Sequence, residues 1–131
     1  MSKLKVFILY YLPPIIWMTL IFYFSSRVRV EVSEKYILNF IFFKSLHVIE
    51  YAILYFLIFR ALFTKTKAWQ DIVIYTTLIS ILYAVSDEIH QTFVPTREGK
   101  IRDVFIDSLG VTLMYIYIRH NLKWLKKYFL R

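Results

Sequence analysis

Cysteine is absent from the chain, which removes disulfides and thiolate chemistry and leaves the redox compartment open. Glycine occurs twice and proline three times in 131 residues, too few for a collagenous or low-complexity disordered chain. Acidic residues are also scarce, nine against seventeen lysines and arginines. A formal net charge of +8 would suit a nucleic-acid partner if the basic residues lined one face. They sit instead at the ends of apolar runs, where membrane proteins carry their anchors, so no nucleic-acid partner is expected.

What the chain has in quantity is apolar surface: 59% of its residues are hydrophobic and 20% aromatic. A soluble core of this size does not need so much, so the excess must face lipid. The length suits one domain, and no repeat or linker divides residues 1–131. The expected fold is all-α, a polytopic membrane bundle of about four transmembrane helices. Its spans are read at about 4–24, 46–63, 71–90 and 103–118. The first, at 1.5 Å per residue, reaches about 31 Å, enough to cross a hydrocarbon core. Bulky aromatics in "FYFSSR" stand where a signal peptidase needs small residues, so this run is expected to remain as an anchor. Pro13 and Pro14 lie within it and are expected to kink it. Between the first two spans, "SEKYILNFIFF" is apolar but short, and reads as an interfacial or re-entrant helix capped by Ser33.

Orientation follows from lysine and arginine. Four spans leave both termini on one side, with Lys3, Lys5, Arg60, Lys65, Lys67, Arg119, Lys123, Lys126, Lys127 and Arg131, about ten in all. The other side holds Arg27, Arg29, Lys35, Lys44, Arg97, Lys100 and Arg102, about seven. Both termini are therefore expected in the cytoplasm, with Trp69 and Trp124 as interfacial aromatics beside them.

Alternating helix directions then bring distant polar residues to one leaflet, the outer one. The second span starts there with Lys44, His47, Glu50 and Tyr51, and the third ends there with Asp87, Glu88, His90 and Gln91. The fourth starts there with Arg102, Asp103 and Asp107. His47, Glu50 and Tyr51 share one helical face; Tyr83, Asp87, His90 and Gln91 share a second; Asp103, Asp107 and Gly110 share a third. Glu50 and Asp107 lie about a turn inside their spans, where an unpaired charge costs roughly 2.5 kcal/mol or more. A pair or two of such groups can simply fix helix register. So many exceed what register requires, and they read as the rim of a shared polar pocket. Arg97, in the short Pro95–Gly99 turn, is expected to face that pocket with Glu88 and Asp103. His120, in the basic tail, reads as solvated.

The segments "WMTLIFYFSS", "KSLHVIEYAIL" and "SDEIHQTFVPTREGKIRDVFIDSLG" resemble the VanZ-like family of small bacterial membrane proteins, over nearly the whole chain. The last segment is the most specific. The resemblance implies a site at Lys44, His47, Glu50, Tyr51, Asp87, Glu88, His90, Gln91, Arg97, Asp103 and Asp107. It also implies a bacterial cytoplasmic-membrane location and a link to teicoplanin tolerance, the property associated with the family's founder.

Three chemistries are compatible with these residues. In the first, Arg97, Lys100 and Arg102, with Lys44, Tyr51 and Gln91, bind an anionic lipid head group or a lipid-linked cell-wall precursor. In the second, His47, Glu50, Asp87, Glu88, His90, Asp103 and Asp107 supply catalysis, either by holding a divalent metal or by placing His47 or His90 as general base beside an acid. Their spacing matches no established metal motif. In the third, the intramembrane carboxylates relay protons in a small transporter. Substrate and oligomeric state stay open.

Overall fold

The computed structural model describes residues 2–28, 34–66 and 68–130. Within them the chain is all-helical, built from four long helices: α1 (Lys3–Ser25), α2 (Tyr36–Phe63), α3 (Trp69–Gln91) and α4 (Ile101–Tyr128). The first three are long and apolar enough to cross a membrane. The fourth matches α2 in length at 28 residues but not in apolarity. Its first two turns carry Arg102, Asp103 and Asp107, and its end is the basic tail.

Sequence chemistry sets the ends and irregularities of α1. The Ser2 hydroxyl accepts from the Lys5 amide at 3.3 Å and caps the start. Phe7–Tyr11 form a π-helical turn directly before Pro13 and Pro14. A proline ring clashes with the carbonyl four residues back, here those of Leu9 and Tyr10, and a widened turn accommodates that clash without ending the helix.

The second helix corrects the sequence reading. The stretch from Tyr36 is not a separate interfacial helix; it forms the opening turns of α2, which starts well before Leu46. Nothing between Tyr36 and Leu46 breaks a helix, since the stretch lacks glycine and proline, and Ser45 returns its hydroxyl to the Ile41 carbonyl at 2.8 Å. The N-cap position falls on Lys35, whereas Ser33 lies outside the described residues. At 28 residues, about 42 Å, α2 is longer than a hydrocarbon core of about 30 Å. Similarly α4 runs past Ile118 to Tyr128, through the basic tail.

Packing centres on α2, which lies most extensively against α4 and then against α3; α3 and α4 also pack together, and α1 lies on the outside. Tyr51, Leu54, Tyr55 and Phe59 of α2, Ile72 and Ala84 of α3, and Ile118 of α4 are fully buried. Gly110 explains the intimacy of α2 and α4: a Cβ there would lie 2.1 Å from the Val48 carbonyl oxygen. Outward-facing side chains are large and apolar, among them Leu82 at 65% and Phe105 at 70% exposure, as a lipid solvent requires.

Candidate functional site

Antiparallel neighbours place the start of α2, the end of α3 and the start of α4 at one end of the bundle, so residues distant in sequence converge there. Asp103, in the first turn of α4 where the helix dipole favours an anion, meets Lys44 of α2 at 2.7 Å. Arg102 reaches the other Asp103 oxygen at 3.3 Å and lays its guanidinium over the Phe40 ring. Asp103 thus holds two cations in place while neutralising much of its own charge.

One turn deeper, His47 lies between two acids. Its Nδ1 is 3.4 Å from Asp107 and 3.7 Å from Glu50. Those are ion-pair distances without hydrogen-bond geometry, so both Asp107 oxygens and His47 Nδ1 have no hydrogen-bond partner in the protein. Asp107 is only 1% exposed. Tyr51, fully buried on the next position of α2, also has a hydroxyl without a protein partner, as does one oxygen of Asp87. Buried polar atoms are normally satisfied, each lapse costing about 1–3 kcal/mol. Several together are a feature of sites more than of cores.

On α3, Gln91 donates its amide to Asp87 at 3.0 Å and to Glu88 at 3.4 Å, bridging two consecutive acids one turn before it. The other Glu88 oxygen accepts from the Lys100 backbone N–H at 3.0 Å and so fixes the loop that enters α4. That loop is tight. A Cβ on Gly99 would fall 2.0 Å from the Glu88 carbonyl oxygen, and Thr96 adopts a positive φ of 67°, uncommon for a β-branched residue. Thr96 and its neighbours enclose a cavity of about 280 Å³ whose wall includes Lys44, His47, Gln91, Arg97, Lys100, Arg102 and Asp103.

Two expected members sit elsewhere. His90 turns toward α1, where its Nε2 lies 2.9 Å from the Ser26 hydroxyl and its ring stacks on Phe22 at 4.3 Å. Tyr83 likewise donates to the Met18 carbonyl of α1, so the expected Tyr83–Asp87–His90–Gln91 face is divided between two neighbours. Arg97 shares the cavity wall with Asp103 as expected, but Glu88 is not part of that wall. The Arg97 fork donates to the backbone carbonyls of Arg27, from Nε at 2.9 Å, and Phe24, from Nη2 at 3.1 Å. Among the described residues, no three or more histidine and acidic side chains are arranged to hold a metal ion. Sequence reasoning did not single out Ser26, Thr96 or Phe43 for the site; each owes its place to a contact with a distant segment.

A model of the VanZ/LLP1 family matches residues 7–123, all but the two ends. The chain belongs to this family. Nothing among curated proteins or solved structures matches it significantly. Three apolar helices fit a VanZ-family membrane protein, and membership fits a link to glycopeptide resistance. The segment from Met18 to Asp107, which makes the polar contacts of this site, lies wholly inside the family match.

Proposed function

We propose that this VanZ-family protein binds the anionic head group of a membrane lipid or lipid-linked cell-envelope precursor in the polar cavity. One observation carries the reading: Lys44, Arg97, Lys100 and Arg102, from two helices and a loop, line one cavity beside two acids among the described residues, Glu98 and Asp103. Asp103 does not repel an anion, because Lys44 and Arg102 already neutralise it and it aims them in return. All four helices cross the membrane in this reading. The apolar middle of α4 packs on α2 and α3, and its charged ends reach the two interfaces. Both termini are cytoplasmic, which puts the cavity at the outer leaflet, the side on which teicoplanin acts.

The test is binding by native mass spectrometry, with the protein in phosphatidylcholine nanodiscs and phosphatidic acid or phosphatidylglycerol as probe. Retention of the anionic lipids over phosphatidylcholine is expected, and Lys44→Gln and Lys100→Gln are expected to reduce it. Equal retention of neutral and anionic lipids would end this reading.

A second reading rests on His47, which stands at the cavity wall with Asp107 and Glu50 behind it. An imidazole backed by carboxylates is the arrangement of a general base. Release of inorganic phosphate from a bound lipid phosphate, lost in His47→Gln, is the result that would favour it.

A further inference from the structure

A second cavity, of about 470 Å³, adjoins the first along the seam between α1 and α2. Its walls are largely apolar: Ile21, Phe24 and Val28 from α1 and the chain after it, Leu46 from α2. Phe43, His47 and Arg97 line both cavities, so the two adjoin along a common wall, one basic and one oily. Leu46, Phe24 and Val28 are 39%, 55% and 56% exposed, which leaves the seam open sideways on the lipid-facing surface. From Phe43 to Glu50 the seam follows about 10 Å of helix. Among the described residues Glu50 is the one acid in its wall, and that residue lies beside His47.

We infer that this seam receives one hydrocarbon chain of the membrane lipid whose head group occupies the basic cavity. The inference rests on the head-group reading and extends it, because it names the ligand as an amphiphile and gives its route of entry. Charge and polarity determine the pose. An anionic head is drawn to Lys44, Lys100 and Arg102, and a largely apolar cavity sharing a wall with that one runs between α1 and α2. Entry is lateral, from the bilayer, and the head need not pass through water. His47 and Arg97, at the common wall, then flank the junction of head and chain.

The experiment uses the full chain in phosphatidylcholine nanodiscs with hexadecyl phosphate carrying a mid-chain diazirine, and butyl phosphate as a head-group probe almost without a chain. Photo-adducts are expected to concentrate on Ile21, Phe24 and Leu46, and to fall when excess butyl phosphate competes for the head site. Leu46→Trp fills the seam and is expected to weaken hexadecyl phosphate about tenfold while leaving butyl phosphate unchanged. Val28→Trp, on the opposite wall, does the same if Leu46→Trp folds poorly. Adducts spread over outward positions such as Leu82 and Leu113, with butyl phosphate still bound, would overturn the seam and spare the head-group site. Failure of butyl phosphate to bind or compete would remove both.

Discussion

At the scale of single residues, two aspartates one turn apart on α4 do opposite work. Asp103 holds a largely buried lysine at 2.7 Å, so Asp103→Asn strands Lys44 and is expected to cost about 2–3 kcal/mol of stability. Asp107 is more deeply buried, and neither of its oxygens has a hydrogen-bond partner in the protein. Removing that charge relieves a desolvation penalty, so Asp107→Asn is expected to leave the melting temperature unchanged or raise it. Detergent melts of the two variants check the contrast; a large drop for Asp107→Asn would make this residue structural. Arg97 gives a third prediction. Its fork spans two carbonyls at the end of α1, which a single ammonium does not reproduce. Arg97→Lys is expected to lose about 1 kcal/mol and most lipid binding, close to the loss in Arg97→Ala. Wild-type behaviour of Arg97→Ala at normal abundance would show that this clamp is dispensable.

At the scale of elements, contacts between helices matter more than the helices' own propensities. Glycine is a poor helix former, and Gly110→Ala in an isolated helix should stabilise by about 1 kcal/mol. Here the new methyl meets the Val48 carbonyl of α2, so the substitution is expected to destabilise by about 2 kcal/mol and to disturb the site one turn away. A raised melting temperature would show that α2 and α4 are less tightly apposed than described. The same reasoning accounts for what could be read in advance. Apolar runs located all four helices, because length and hydropathy act locally. Their ends were misplaced where no breaker marked them, at Tyr36 and beyond Ile118, because helix extension there depends on packing and on the interface. Placing His90 with the acids failed for a related reason: helical spacing defines a face but not which neighbour that face meets, and Ser26 and Phe22 claimed it.

For the whole molecule, orientation is the open quantity with the simplest measurement. Gly99 cannot carry a reporter, since any Cβ there strikes the Glu88 carbonyl, so Glu98→Cys, on an exposed side chain, is the better probe. With both termini inside, Glu98→Cys and Thr92→Cys react with a membrane-impermeant thiol reagent on intact cells, and Thr66→Cys does not. Labelling at Thr66 alone would invert the molecule and move the polar cavity to the cytoplasmic face. The sequence by itself determined that the chain is helical with runs apolar enough for lipid, and that its acidic residues other than Asp71 fall toward one end. Hydrophobicity decides what enters lipid, and alternating helices leave polar ends few places to go. Only the tertiary structure decided the pairings within that end: Asp103 with Lys44, Asp107 beside His47, Arg97 on the end of α1, and an apolar seam beside a basic cavity. Each of these joins segments far apart in the chain, and their separation is set by how closely backbones pack at points such as Gly110, which no local pattern records.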